Sequence, residues 1–274
     1  MNICFIGGGN MATALIGGLL DKGFFTEQLC VVEIDAESRA RLQRDFAVQS
    51  VDNLVEGIDG SQVIVLAVKP QQLRDVAQQL APLLNGQLLI SIAAGIRAGD
   101  IARWANSPAV VRAMPNTPAL IRSGMTGLYA LPAVGTVQCG QAQDILEAVG
   151  ETLWLQDEAM LDAVTAISGS GPAYVFYFIE ALQQAAHELG FNDADARRLS
   201  LATFLGASQL AASSDEDAGV LRARVTSKNG TTERALLSME ANRVAEHIAQ
   251  AAHAAADRAR EMGDELGDNP TENK

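Results

Sequence analysis

The apolar run Ile3–Ile6 opens directly into Gly7-Gly8-Gly9-Asn10-Met11-Ala12, and helical periodicity then continues to Leu20. A strand, a turn of small residues and a helix in this order restrict the fold more than any other feature of the chain. Gly7 permits a tight turn, Gly9 leaves the backbone open to a close-lying group, and Ala12 lets the helix sit against the strand. The unpaired N–H groups at the start of such a helix suit a diphosphate. The alternation then repeats. Further strand-like runs occur at Leu29–Ile34, Val63–Val68, Leu88–Ile92, Val110–Met114, Met125–Leu128 and Thr152–Leu155. Helical patterns lie between them at Glu37–Phe46, Gln71–Leu84 and Thr136–Val149. Short, wholly apolar strands alternating with amphipathic helices predict a parallel sheet covered on both faces.

Beyond Leu155 the pattern changes. Ala- and Leu-rich helical stretches follow at Met160–Ile167, Pro172–Leu189, Asp193–Ala212, Thr231–Met239 and Ala241–Leu266. Gly190 is placed to end one helix and Asp193 to cap the next. The predicted architecture is an α/β N-terminal half, a Rossmann-type doubly wound sheet, followed by an all-α C-terminal domain. The expected domains are 1–156 and 157–266, with a flexible tail at 267–274.

Composition excludes several function classes. The formal charge is −13 and Lys and Arg are not clustered, so no nucleic-acid partner is expected. No uninterrupted apolar stretch is long enough to span a bilayer, so no membrane partner is expected either. Cys4, Cys30 and Cys139 form no CxxC pair, and Met1-Asn2 lead straight into a strand, leaving no room for a signal peptide. A cytoplasmic location follows as the expectation. His187, His247 and His253 fall in helical Ala-rich segments at spacings unsuited to a metal, so no metal is expected.

The first half is therefore expected to bind a nicotinamide dinucleotide. The second strand ends in Glu33-Ile34-Asp35, where a carboxylate accepts from the adenosine ribose 2′-OH and repels a 2′-phosphate. Arg39 and Arg41 follow and are placed to pair with such a phosphate, so NADPH and NADH both remain open. Asn53 precedes the next strand, and Ala67-Val68-Lys69-Pro70 end it, where ligands of open parallel sheets bind. Met114-Pro115-Asn116-Thr117-Pro118 ends a later strand as a rigid loop suited to holding a ring. Ser168–Gly171 reads as a flexible link ending at Pro172, and Ser227–Thr232 as a hydroxyl-rich lead into a helix whose free N–H groups suit a carboxylate. Alcohol oxidation requires a general base, usually His or Lys, and the three His residues all lie outside these motifs.

With these residues in view, the chain resembles the pyrroline-5-carboxylate reductase family over Asn2–His253. The marks are FIGGGNMATALIGGL at Phe5–Leu19, AVKPQ at Ala67–Gln71, MPNTPA at Met114–Ala119, SGSGPAY at Ser168–Tyr174 and VTSKNGTTERAL at Val225–Leu236. The resemblance implies hydride transfer from NADPH or NADH to the cyclic imine of 1-pyrroline-5-carboxylate, giving L-proline in the last step of its biosynthesis. It also implies a helical domain that interlocks with a second subunit, in a homodimer or higher homo-oligomer. Gly7, Gly8, Gly9, Asn10, Met11, Glu33, Asn53, Ala67, Val68, Lys69, Pro70 and Asn116 would then serve the cofactor. Ser227, Asn229, Gly230, Thr231 and Asp215 would serve the substrate, and the Thr232 hydroxyl would hydrogen-bond the ring nitrogen. One departure stands out. The family usually reads Ser-Pro-Gly-Gly-Thr-Thr where this chain has Ser227-Lys228-Asn229-Gly230-Thr231-Thr232. Asn tolerates a left-handed backbone, so Asn229 is expected to replace a glycine. The alternatives are a related imine or 3-hydroxyacid dehydrogenase and a non-catalytic dinucleotide sensor. Against hydroxyacid chemistry, Val175 stands where β-hydroxyacid dehydrogenases carry a catalytic Lys.

Overall fold

All four residues of β1 (Ile3–Ile6) are buried, as an uninterrupted apolar run requires of a strand covered on both faces. Alternate side chains leave it for opposite sides. Ile3 and Phe5 join one core with Leu15, Ile16 and Leu19, while Cys4 and Ile6 join another with Leu73, Ala77 and Leu80. The computed structural model describes residues 1–267. Of the tail expected at 267–274, only Gly267 falls within the described residues.

The remaining strands are β2 (Leu29–Val32), β3 (Gln49–Val51), β4 (Val63–Leu66), β5 (Leu88–Ser91), β6 (Val110–Met114), β7 (Gly124–Ala130) and β8 (Gly150–Trp154). They form one sheet in the order β3-β2-β1-β4-β5-β6-β7-β8. Every pairing is parallel except β6 with β7, which is antiparallel. The parallel sheet read from the sequence is present, and its single antiparallel pairing has a physical reason. A parallel return needs a crossover of a dozen or more residues, and Pro115–Ser123 holds only a 3₁₀ turn at Thr117–Ile121. The helices of this part are α1 (Asn10–Asp21), α2 (Ala36–Phe46), α3 (Leu54–Gly57), α4 (Pro70–Leu80), α5 (Ala98–Ala105), α6 (Thr136–Leu146) and α7 (Met160–Val164). The sequence reading did not anticipate β3, α3 or α5.

Gly150 opens β8 at φ +147°, and a Cβ there would lie 2.0 Å from the Gly124 carbonyl oxygen. Gly150→Ala must therefore strain the backbone and separate the start of β8 from β7. We expect it to cost about 3 kcal/mol or more, read as a lowered midpoint in denaturant. A midpoint equal to that of the unaltered chain would refute this account of the β7–β8 junction.

The chain forms two compact units, Met1–Ser170 with the chain from Ala254, and Gly171–His253. The second unit holds α8 (Gly171–Glu188), α9 (Asp193–Ala212), α10 (Ala218–Arg224), which the sequence reading missed, and α11 (Thr231–Ala241). The last helix, α12 (Val244–Leu266), begins in the second unit and ends in the first, where Arg97 donates to Asp264 Oδ1 at 2.5 Å. Gly190 ends α8 as expected. Its N–H donates to the His187 carbonyl, and that of Phe191 to Ala186. The next cap is shifted by one residue: Asn192, not Asp193, accepts from the Asp195 N–H, at 3.0 Å. The Ser168–Gly171 segment is not a flexible link. Thr165–Gly169 is a π turn, closed by the Ser170 N–H on the Thr165 carbonyl at 2.8 Å, and α8 starts at Gly171.

Candidate active site

A cleft of about 840 Å³ lies over the carboxyl ends of β1, β2 and β4. Gly7 makes the turn out of β1 at φ +100°, with its N–H on the Val32 carbonyl at 2.8 Å. Any Cβ there would lie 2.8 Å from the Ala67 oxygen. Gly9 is the N-cap of α1 and makes no side-chain cap, so the first N–H groups of the helix are left unpaired. No atom stands within 4 Å of where its Cβ would be. Open space over an uncapped helix start fits a dinucleotide diphosphate.

Of the residues expected at the cofactor, Gly7, Gly8, Gly9, Glu33, Asn53, Ala67, Val68 and Lys69 line this cleft. Asn10 and Met11 begin α1, and Pro70 is the first residue of α4 behind its N-cap Lys69. Asn53 caps α3, accepting from the Glu56 N–H at 2.9 Å. Asn116 lies elsewhere, with its amide fully engaged. Its Nδ2 donates to the Ser168 carbonyl at 3.2 Å and hydroxyl at 3.1 Å, and its Oδ1 accepts from the Met125 N–H at 2.9 Å. It thereby ties the loop after β6 to β7 and to the π turn.

Charge in the cleft is uneven. Glu33, Asp52 and Asp75 line it against one cation, Lys69. Glu33 is held twice, Oε2 accepting from the Gly8 N–H at 2.9 Å and Oε1 from that of Asp35 at 3.0 Å. Beside it Asp35 caps α2. Hydrogen bonds from Ser38, with Arg39 and Arg41 nearby, hold its carboxyl below the ordinary range.

In the second unit the substrate candidates gather at the start of α11. Asn229 adopts φ +57°, the left-handed conformation expected of it. Gly230 is the N-cap, its N–H on the Ser227 carbonyl at 3.0 Å, and a Cβ there would meet the Ser227 side chain at 2.3 Å. The Asn229 N–H donates to Glu233 Oε2 at 2.6 Å. The N–H groups of Asn229 and Gly230 are thus already paired within the loop. Those of Thr231, Thr232 and Glu233 are left free by the uncapped helix start. The Thr232 side chain is half-buried and forms no hydrogen bond among the described residues. Asp215 is exposed in the turn between α9 and α10, next to Glu216, which pairs with Arg224. Lys228 is exposed beside the loop, and Val175 sits on α8.

The sequence reading missed a buried ion cluster in the first unit. Arg112 on β6 meets Glu158 at 3.1 Å and Asp162 at 3.6 Å, and Glu158 also accepts from the Ala98 N–H at 2.7 Å. Its only sequence signal is an Arg in the middle of an apolar strand. Among the described residues no three His, Cys, Asp or Glu side chains gather as metal ligands. No helix there is long and apolar enough to cross a membrane.

Two family models match, "Pyrroline-5-carboxylate reductase dimerisation" over residues 158–262 and "NADP oxidoreductase coenzyme F420-dependent" over residues 2–95. A pyrroline-5-carboxylate reductase of Pseudomonas aeruginosa is 48% identical, the match covering 95% of this chain and 96% of that protein. The solved structure of the Coxiella burnetii reductase superposes with a TM-score of 0.91 at 38% identity, covering 95% of this chain and 98% of that one. The Plasmodium falciparum pyrroline carboxylate reductase, solved with NADP bound, gives 0.85 at 29% identity, covering 96% and 98%. The glycine turn under an uncapped α1, the Gly230-Thr231-Thr232 start of α11 and an alignment spanning nearly the whole of both chains agree: the chain belongs to the pyrroline-5-carboxylate reductase family.

Proposed function

We infer that the chain reduces 1-pyrroline-5-carboxylate to L-proline with NADPH or NADH. One observation carries this reading: each unit presents a helix whose start has no side-chain cap and follows a glycine turn, α1 after Gly9 and α11 after Gly230. The first suits a diphosphate and the second a carboxylate, both anions that complement the positive end of a helix. When bound, the reduced dinucleotide supplies the hydride. In the reading favoured here, the N–H groups of Thr231 and Thr232 bind the substrate carboxylate, and the Thr232 hydroxyl holds the ring nitrogen. Ser227, Asn229 and Gly230 shape the loop, and Asp215 serves as an acidic neighbour of that nitrogen. A protonated imine is already electrophilic at carbon, so these residues contribute orientation rather than a general base.

The division at 1–156 and 157–266 follows the same reading, the second part being the one that pairs. Phe176, Tyr177, Leu205 and Leu210 are exposed on α8 and α9, and α8 has no buried residue of its own. A second copy of the chain is the proposed cover, in a homodimer or larger homo-oligomer. The free thiols Cys4, Cys30 and Cys139 fit the reducing cytoplasm proposed as its location. The test is loss of absorbance at the reduced-nicotinamide band on adding pyrroline-5-carboxylate, with proline measured as product. Imine-dependent oxidation with matching proline is expected. Folded protein that oxidises neither NADPH nor NADH would overturn the assignment.

A further inference from the structure

We propose that Glu33 makes this chain prefer NADH to NADPH; the inference rests on the dinucleotide reading of the cleft and adds the choice between the two cofactors. Glu33 follows the last residue of β2 on the cleft wall, and its carboxylate is fixed by the N–H groups of Gly8 at 2.9 Å and Asp35 at 3.0 Å. A carboxylate held there accepts from a ribose diol, whereas a 2′-phosphate offers it no donor and brings about two negative charges. Lys69 is the one cation among the described residues lining the cleft, against three carboxylates. Asp52 is one of them, and the Asp35 carboxyl, held below its ordinary range by Ser38, stands two residues past Glu33.

Two arginines beside Glu33 already donate to backbone carbonyls. Arg39 Nη1 donates to the carbonyls of Glu33 at 2.7 Å and Ile34 at 2.9 Å, and its Nη2 stands 3.9 Å from Asp52. Arg41 Nη2 donates to the Gly8 carbonyl at 3.3 Å. Each arginine keeps N–H groups that these bonds do not use, but a phosphate paired with either would still lie beside the Glu33 carboxylate. Glu33 therefore outweighs the arginines.

The test is titration of the unaltered protein, Glu33→Gln and Glu33→Ser with NADH and NADPH, followed by calorimetry and needing no turnover. The unaltered chain is expected to bind NADH about tenfold or more tightly than NADPH. Both variants should bring the ratio close to one, chiefly by improving NADPH binding. Equal or tighter binding of NADPH by the unaltered chain would overturn the proposal, as would an NADH preference that survives in both variants. Circular dichroism separates misfolding from lost discrimination, and Gln keeps the shape of Glu if Ser does not fold. Because the readout is binding, a chain that discriminates as expected but leaves pyrroline-5-carboxylate unreduced would sink the assigned reaction and not the role of Glu33. A chain that binds neither dinucleotide would sink both.

Discussion

Arg112→Met is expected to lower stability by about 3 kcal/mol, moving the thermal midpoint down by roughly 6–12 °C. The Arg112 side chain is 5% exposed, and its partners Glu158 and Asp162 keep about a fifth of theirs. Removing the guanidinium leaves two partly buried carboxylates with no cation to balance them. That uncompensated charge, rather than the lost attraction, dominates the penalty. Glu158 retains the Ala98 N–H and both acids retain some water, so the low end of the usual range applies. The same argument predicts that Arg112→Met combined with Glu158→Gln and Asp162→Asn recovers most of the loss. Gln still offers an oxygen to Ala98, and neither amide carries charge. The effect should change little with salt, since the pair is largely buried. If the triple variant is as unstable as Arg112→Met alone, packing and not charge explains the loss, and this account of the cluster fails.

What the sequence revealed and what it hid follow from how far apart the partners lie. The β1 run, the Gly7 turn and the start of α1 are one local unit, so their pattern and their geometry agree. The left-handed Asn229 and the Gly190 helix end were legible for the same reason: single-residue backbone preferences decide them. The direction of β7 was not, because an apolar run carries no sign of whether it pairs parallel or antiparallel; the short connection decides that. Polar edge strand β3, with Gln49 and Ser50, has too little apolar content to be seen. Asn192 and Asp193 are both good caps, and pattern alone does not choose between neighbours. The pairing of the Asn229 and Gly230 donors depends on how the turn closes and on Glu233 reaching back to it. The Arg112 cluster joins β6 to residues near α7, which no local pattern relates. Glu33 was found as a candidate because it ends a strand, but its hold on the Gly8 N–H appeared only once the turn was folded.

Thr232→Ala is expected to lower kcat about 100-fold or more in the proposed reaction while leaving the fold intact. Thr232 lies in the first turn of α11, one residue past Thr231 and two past the N-cap Gly230, so its hydroxyl does not cap the helix. Nor does that hydroxyl bond to any described residue, so no partner is orphaned when it is removed. Ala also has the higher helix propensity, by about half a kcal/mol, so stability should hold or rise slightly. A fall in turnover cannot then be attributed to unfolding. The helix N–H groups that bind the carboxylate belong to the backbone and survive the substitution, so KM should move far less than kcat. Thr232→Ser, which restores the hydroxyl without the methyl group, should recover most of the rate. Thr232→Val, which keeps the shape without the hydroxyl, should not. If Thr232→Ala stays within about twofold of the unaltered kcat, the hydroxyl does not hold the ring nitrogen. Orientation would then fall to the N–H groups of Thr231–Glu233 alone.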